Sequence, residues 1–204
     1  MKTPARIGSR RPLNRLRQKS QRSKVNQTPI RHLSIRHRGD LAMSMVNVEI
    51  RKARPLDRKL FEQLWQLYLY DFSEFTNMDV RLDGKYPYFP EFEWYWKKWG
   101  GNYAYLILVD GQIAGFAMVH EFWENEAAYL SQFFIMRKYR RSGVGMQAAK
   151  RIFATKKGRW GLHQLANNIP AQKFWDKVIT EITGVPPLLE QMEEDRRFQM
   201  FELK

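Results

Sequence analysis

The chain has 204 residues, seven tryptophans, no cysteine and a formal net charge of +14 at pH 7. Without cysteine, disulfides, thiolate metal sites and a cysteine nucleophile are excluded. No run approaches the roughly 18 apolar residues of a membrane span, and no apolar signal-peptide core follows the N-terminus. We therefore expect a cytoplasmic protein that has no membrane partner and consists of one domain of ordinary size plus an appendage.

The excess positive charge is concentrated at the N-terminus. Residues 1–44 hold 12 Lys and Arg against one acid, whereas residues 45–204 hold 23 basic and 20 acidic residues. We predict a disordered basic leader over 1–44 and a folded domain over 45–204. Three interpretations of the leader stay open: a passive or upstream-translated extension before a start at Met43 or Met45, a segment that binds nucleic acid or an anionic surface, and an organelle transit peptide. The first is favoured because a strand pattern begins directly after Met45.

The first half of the folded part contains one strand and two helices by its apolar pattern. Apolar residues alternate with polar ones over 46–51, which predicts a strand, and apolar residues recur at helical spacing over 57–70. Residues 71–90 lose this periodicity and combine acids with aromatic residues. Helical spacing of aromatic residues returns over 90–99 and predicts a second helix.

The second half alternates between strands and helices. An Asp110-Gly111 pair is typical of a tight hairpin. The predicted order is β-α-α-β-β-β-α-β-α-β, a mixed α/β domain with a central antiparallel meander and no second domain or internal repeat. The elements of this half are strands over 103–109, 113–122, 127–135, 160–165 and 198–203 and helices over 144–155 and 170–178.

A basic, glycine-containing loop joins strand 127–135 to helix 144–155. It reads Arg140-x-x-Gly143-x-Gly145 and carries a second arginine, Arg141. A helix N-terminus offers unpaired backbone N–H groups and a partial positive charge, and glycine lets the backbone approach an anion closely. The loop therefore predicts a phosphate site, although its spacing is not that of a dinucleotide-binding fold or a Walker loop.

This loop resembles the [Q/R]-x-x-G-x-[G/A] pyrophosphate signature of the GNAT superfamily of N-acetyltransferases. The segment from Asn168 to Trp175, with Ala171 at its fourth position, is similar to that family's later N-x-x-A element. The predicted element order also follows the family over residues 46–203. The resemblance implies the GNAT fold, a mostly antiparallel central sheet flanked by helices.

The resemblance also implies acetyl-CoA as cosubstrate, with no metal. The pantetheine arm would pair with strand backbone, and the pyrophosphate would lie on the loop amides with Arg140 as an ionic partner. Asn168 would bond the arm, although a helix N-cap explains it equally well. The implied cofactor-binding residues are Phe133, Phe134, Ile135, Arg140, Arg141, Ser142, Gly143, Val144, Gly145, Met146 and Asn168.

The proton-transfer residues follow less directly. Many family members place a tyrosine general acid seven residues after the asparagine, where this chain has Trp175, and an indole N–H supplies no proton at neutral pH. Tyr129, Tyr139 or water are the alternatives. For the general base we favour Glu121 at the end of strand 113–122, with His120 and Glu126 as alternatives, and we expect His163 to be structural.

The resemblance therefore implies an N-acetyltransferase in which a primary amine attacks acetyl-CoA directly. The acceptor would be a small molecule or a peptide, and the acidic, aromatic loop 71–90 suits a cationic amine. A homodimer is compatible with the superfamily. Two other functions stay open: a non-catalytic acyl-CoA-binding module, which Trp175 favours, and association with nucleic acid through residues 1–44.

Overall fold

The computed structural model describes residues 46–97, 100–121 and 127–204. The predicted leader lies outside these ranges, as does Glu126. The strands are β1 (Val48–Lys52), β2 (Asn102–Val109), β3 (Gln112–His120), β4 (Ala128–Ile135), β5 (Gly158–Leu165), β6 (Leu189–Glu193) and β7 (Arg196–Leu203), and the α-helices are α1 (Arg58–Phe72), α2 (Val144–Phe153) and α3 (Ile169–Thr183).

The described strands form one sheet in the order β1-β2-β3-β4-β5-β7-β6. Every neighbouring pair is antiparallel except β4 and β5, which run parallel. The prediction of a mixed α/β fold with a mostly antiparallel sheet flanked by helices is confirmed. The parallel pair requires a crossover, and α2 supplies it between the end of β4 and the start of β5.

Two elements differ from the prediction. The second helix is a 3₁₀ helix over Pro90–Tyr95 rather than an α-helix over 90–99. Its bonds span three residues, as in Trp96 N–H to Glu93 O at 3.1 Å, and such tight turns stay short. Strand β6 was also missed, because Leu189–Glu193 shows no clear alternation; it pairs with β7 across a turn at Glu194, where φ is +51°.

The two faces of the sheet carry separate apolar cores. On the face covered by α2 and α3, Ile152 and Val178 are fully buried against strand residues such as Leu162. On the opposite face, α1 and the 3₁₀ helix pack onto β3 and β4, with Phe61 and Phe116 fully buried. We call these the α2–α3 face and the α1 face. Because strand side chains alternate, neighbouring residues of one strand belong to different faces.

Candidate functional site

Strands β4 and β5 pair along only part of their length. Their register covers Ala128–Leu130 of β4 against Trp160–Leu162 of β5, after which β4 continues to Ile135 and β5 to Leu165 without pairing to each other. We call the resulting gap the wedge; its apex lies at Leu130. The β4 backbone beyond the apex is bonded to β3 on one side and faces the wedge on the other, where its polar groups can serve a ligand.

A β-bulge marks the apex of the wedge. The β3–β4 register shifts so that Met118 lies opposite Gln132 and Val119 opposite Leu130, which leaves Ser131 as the extra residue. A bulge re-aims its side chain and increases the local twist of the strand. Ser131 is therefore the first residue of β4 beyond the last β5 partner, and its side chain is directed by the bulge.

The side chains of the predicted arm-binding residues belong to the cores. Phe133 stacks on Phe174 of α3 with ring centroids 6.0 Å apart, on the α2–α3 face. Phe134 is buried on the α1 face, and Ile135 is buried among the residues of the α2–α3 face. Their backbone borders the wedge, and its pairing with a pantetheine arm stays a prediction.

Helix α2 begins beyond the wide end of the wedge with uncapped N–H groups. Its N-cap is Gly143, at a left-handed φ of +81°, and no side chain caps the helix. The first intrahelical bond runs from Gln147 N–H to Gly143 O, at 3.1 Å. The N–H groups of Val144, Gly145 and Met146 thus have no acceptor within the helix, and they form a donor cluster where the helix dipole is positive.

Three further residues of the loop have distinct roles. A Cβ at Gly145 would lie 3.3 Å from the Phe174 ring, so glycine here lets α2 approach α3 closely. Arg141 is exposed and has a φ of +61°. Ser142 donates from its hydroxyl to the Tyr139 carbonyl at 2.8 Å, which closes the turn before the helix. These contacts fix the loop and leave the Arg141 charge open to solvent.

Arg140 is held by the protein itself. Its Nε donates to the Ile135 carbonyl at 2.7 Å, and its guanidinium also pairs with Asp71 at the end of α1. Arg137 donates to the other oxygen of the same carboxylate at 2.8 Å. Burial alone would raise the pKa of Asp71, but hydrogen bonds from Arg140 and Arg137 outweigh it and lower that pKa. Arg140 therefore joins the end of β4 to α1 and positions the loop.

The predicted N-x-x-A element forms the start of α3. Asn168 is the N-cap, and its side-chain oxygen accepts from the Ala171 N–H at 3.0 Å. The side chain of Asn167 donates to the Phe75 carbonyl at 2.8 Å, which ties the segment after α1 to this end of α3. Asn168 thus has the capping role that its residue type favours; its contact with a ligand stays a prediction.

Trp175 belongs to the core of the α2–α3 face. Only 6% of its surface is exposed. Its ring meets Phe133 edge to face at 5.1 Å and Phe153 at 6.0 Å. The large indole therefore fills space between α3 and the sheet, and this packing explains a tryptophan at that position.

A cluster of hydroxyl and imidazole groups lies beside the apex on the α1 face. The Tyr95 hydroxyl is 3.0 Å from His120 Nε2 and 2.5 Å from the Ser131 hydroxyl. His120 Nδ1 bonds the side-chain oxygen of Asn102. Burial lowers the pKa of His120 and raises that of Tyr95. Both groups are therefore neutral near pH 7, linked by hydrogen bonds to the residue at the apex.

A second pair bridges the two strands that bound the wedge. The Tyr129 hydroxyl of β4 bonds His163 Nδ1 of β5. Burial raises the pKa of Tyr129. Burial, with a smaller contribution from the positive charge of Arg196, lowers the pKa of His163 to about 4. Tyr129, one alternative acid from the sequence, is thus near the apex, as is His163, which we had expected to be only structural.

Glu121 lies away from this cluster. It follows His120 and so points to the other face, where its side chain bonds the Tyr103 hydroxyl and raises the pKa of that tyrosine. Its backbone oxygen accepts from Lys156 at 2.6 Å, beyond the C-terminus of α2. The structure therefore brings His120, and not Glu121, to the apex. Tyr139 packs against the core of the α2–α3 face.

Sequence reasoning did not identify three members of the apex cluster: Tyr95, Asn102 and Ser131. Tyr95 lies on the 3₁₀ helix, and Asn102 begins β2, so their proximity to His120 depends on tertiary packing. His120 and Tyr129, which the sequence had singled out, lie opposite each other across β3 and β4. Within the described ranges, no three His, Asp or Glu side chains gather as a metal-binding group, and no helix is long and apolar enough to cross a membrane.

The arrangement can hold an extended ligand that carries an anion at one end. The anion would meet the N–H groups of α2, and the body of the ligand would lie along β4 toward Ser131. At the apex it would meet neutral hydroxyl and imidazole groups that can accept or donate a proton. This geometry combines an anion site with a proton-transfer site at the two ends of one gap.

Comparisons with known proteins concern the fold. The chain is similar in structure to an acetyltransferase from Thermus thermophilus, with 17% identity, a TM-score of 0.57 and coverage of 77% of this chain and 97% of that one. It is also similar to spermidine/spermine N-acetyltransferase SpeG from Vibrio cholerae, with 13% identity, a TM-score of 0.51 and coverage of 76% and 95%. A PaiA N-acetyltransferase from Thermoplasma acidophilum, in complex with coenzyme A, has 14% identity, a TM-score of 0.50 and coverage of 76% and 99%.

At these identities, the structural similarities establish the fold alone. A search of curated protein sequences finds no significant match. The sequence profile of the Acetyltransferase (GNAT) family, in contrast, matches residues 61–179, which is more than half of the chain. That match spans most of α1, the wedge, the loop before α2 and most of α3. The chain belongs to the acetyltransferase (GNAT) family.

Proposed function

We propose that the protein is an N-acetyltransferase that transfers the acetyl group of acetyl-CoA directly to a primary amine. One observation carries this proposal: the wedge between β4 and β5 connects the open N-terminus of α2 to the polar cluster at Ser131. The structurally similar PaiA enzyme was crystallised with coenzyme A, which supports the choice of cosubstrate.

In this proposal the pyrophosphate lies on the N–H groups of Val144, Gly145 and Met146. Arg141 adds a solvent-exposed positive charge, while Arg140 positions the loop through its own bonds. The pantetheine arm follows the free side of β4 from Ile135 to the apex, a length of about 13 Å for four strand residues. The arm thereby takes the place of a neighbouring strand, and the β4 backbone binds it through hydrogen bonds that do not depend on particular side chains.

The chemistry takes place at the apex. A neutral amine attacks the thioester carbonyl, and a backbone N–H of the β4 segment 131–135 polarises the carbonyl oxygen. The tetrahedral intermediate loses an amine proton and expels the CoA thiolate, which leaves an amide. Because the chain has no cysteine, no acyl-cysteine intermediate forms.

The acceptor is a primary amine on a small molecule or a peptide. SpeG is by name a spermidine/spermine N-acetyltransferase, so a polyamine is a reasonable first candidate. The acidic segment 71–90 has one carboxylate fewer for a cationic acceptor than its sequence indicates, because Asp71 pairs with Arg137 and Arg140. Glu74, Asp79 and Asp83 of this segment are exposed.

Thermal unfolding with and without acetyl-CoA tests the cofactor site. A ligand at 100 times its Kd stabilises the folded protein by about 2.7 kcal/mol, which raises Tm measurably. Gly143→Asp places a carboxylate at the donor cluster and should abolish the rise. Gly158→Asp is the matched control: Gly158 also has a left-handed φ, +92° against +81°, and a Cβ added there would likewise meet nothing within 4 Å, but it lies beyond the other end of α2.

The proposal fails if the folded wild-type protein shows no rise, or if both variants lose it equally. Mass spectrometry of amines incubated with the protein and acetyl-CoA then tests the transfer itself. The alternative of a non-catalytic acyl-CoA-binding module rests on Trp175, which is buried where many family members have a tyrosine. It predicts the Tm rise without any acetylated amine or released CoA.

A further inference from the structure

We propose that His120 is the proton acceptor of this site and that it receives the proton of the attacking amine through the hydroxyls of Ser131 and Tyr95. This inference rests on the proposed function and deepens it. The hydroxyl of Ser131 lies at the apex, where the thioester carbonyl would end. It is 2.5 Å from the Tyr95 hydroxyl, which is 3.0 Å from His120 Nε2. These three groups form one continuous chain from the apex to an imidazole.

The donor and acceptor of each hydrogen bond between Ser131, Tyr95 and His120 are determined at the His120 end. Asn102 presents its side-chain oxygen to His120 Nδ1, and an amide oxygen only accepts hydrogen bonds. Nδ1 therefore carries the proton of the neutral imidazole, and Nε2 has the free lone pair. Tyr95 must donate to Nε2, so its oxygen is free to accept from Ser131. Protons can move along these bonds from the apex to His120.

The surroundings of His120 keep it able to accept a proton. Three rings contact it, those of Trp94 at 6.0 Å, Tyr95 at 5.3 Å and Tyr129 at 6.4 Å. The titratable groups among these, Tyr95 and Tyr129, have raised pKa values and stay neutral. Burial holds the pKa of His120 below its usual value, so the ring is unprotonated at pH 7.

The position of Ser131 places this hydrogen-bonded relay beside the proposed site of the thioester. Ser131 directly follows Leu130, the last β4 residue that pairs with β5. The Met118 carbonyl, across the bulge, is a second acceptor for its hydroxyl hydrogen at 3.3 Å, farther away than the Tyr95 oxygen at 2.5 Å. The bulge therefore turns this hydroxyl toward the α1 face, where Tyr95 and His120 lie. An amine entering from that face would meet the hydroxyl and the thioester together.

The proton transfer balances as follows. The amine nitrogen bonds to the carbonyl carbon, and the carbonyl electrons move to oxygen, which gives a tetrahedral intermediate with a positive nitrogen. That nitrogen passes a proton to Ser131, while Ser131 passes its own to Tyr95 and Tyr95 passes its own to His120 Nε2. The intermediate then re-forms the carbonyl and expels the thiolate. The imidazolium returns its proton to the thiolate or to water.

The test measures CoA thiol release from acetyl-CoA by the full-length protein, with spermidine, phenethylamine or water as acceptor. His120→Gln should lower kcat about 100-fold or more, as expected for loss of a general base, and Tyr95→Phe should lower it at least 10-fold. The wild-type kcat should fall with decreasing pH at a midpoint below about 6.5, where His120 becomes protonated. His120→Gln should lack this acid limb.

Asn102→Asp gives a signature that a structural role would not produce. A carboxylate beside Nδ1–H favours the imidazolium, so it raises the pKa of His120. The acid limb should move to higher pH by about one unit or more, with kcat retained on the alkaline side. Tyr105→Phe is the matched control; it removes a hydroxyl that bonds Thr155 on the α2–α3 face and should leave both kcat and the limb unchanged.

Acetyl-CoA stabilisation, measured on every variant, separates the possible failures. If wild type shows no stabilisation, the proposed function itself fails. If the variants keep the stabilisation, but His120→Gln retains kcat or its acid limb, the relay alone is overturned. The relay is overturned as well if wild type binds acetyl-CoA but releases no thiol with any of the three acceptors. A lower kcat with unchanged stabilisation and a lost acid limb supports it.

Discussion

The two faces of the sheet differ beside the wedge. On the α2–α3 face, Phe133, Phe174 and Trp175 pack ring to ring, and the polar groups are backbone N–H donors at the start of α2. On the α1 face, the polar groups are side chains that can exchange protons, among them Tyr95 and His120. A single gap can thus offer groups suited to anion binding on one face and groups suited to proton transfer on the other, because each face contributes one kind of group.

The largest expected effect concerns packing on the α2–α3 face. Trp175 is nearly fully buried among aromatic rings. Trp175→Ala should lower the free energy of unfolding by about 3 to 5 kcal/mol, since it removes a large core side chain. Urea unfolding checks this as a lower midpoint. If Trp175 also served as a proton-transfer group, Trp175→Phe would lower kcat strongly; we expect kcat to change less than about twofold, because an indole N–H supplies no proton.

The next effect concerns the α1 face and pH. The folded pKa of His163 is lowered to about 4, whereas the unfolded value is near 6.5. Below pH 6.5 the unfolded chain binds a proton at His163 that the folded protein does not bind. The free energy of unfolding therefore decreases as the pH is lowered to about 4, and below that pH this contribution stays constant. The contribution should be on the order of 1 to 3 kcal/mol. His163→Gln should flatten this part of the curve of unfolding free energy against pH, and an unchanged slope would contradict the assignment.

A smaller effect distinguishes the two helix N-termini. Asn168 caps α3 with its own side chain, whereas α2 begins at a glycine and is left open. Asn168→Ala should cost about 1 kcal/mol of stability, and Asn168→Asp, which can still cap, should cost little. Denaturant unfolding of both variants measures this. Equal losses in the two would show that the amide, rather than the cap, is what the protein requires.

The order of elements could be predicted from the sequence because apolar spacing differs between strands and helices. The 3₁₀ helix was predicted as an α-helix since Phe92 and Trp96, four residues apart, both pack into the core of the α1 face, and Pro90 at its start is compatible with either kind of helix. Strand β6 was not predicted because its pairing with β7, rather than an alternating pattern of its own, makes it a strand. Local periodicity thus predicts elements that bury one side. It fails for elements whose conformation depends on pairing with a distant segment.

The glycine-containing loop before α2 could also be predicted, because glycines and cations in a fixed spacing act through nearby backbone; anion binding there stays a proposal. The contact of Arg140 with Asp71 could not be predicted, since Asp71 is 69 residues away in sequence. The cluster of Tyr95, His120 and Ser131 was beyond local reasoning for a related reason. Strand β3 is buried on both faces, so its apolar pattern does not indicate which face contains the site.

The smallest expected effect is the sharpest test of the difference between the faces. Glu121 and His120 are neighbours in sequence, and the sequence alone favoured the carboxylate as general base. Side chains alternate along a strand, so the two residues point to opposite faces, and only His120 reaches the cluster with Tyr95. Glu121→Gln should therefore change kcat for CoA thiol release less than about twofold, whereas a general base contributes 10²-fold or more. A large loss in Glu121→Gln, with His120→Gln unaffected, would reverse the assignment and move proton transfer to the α2–α3 face.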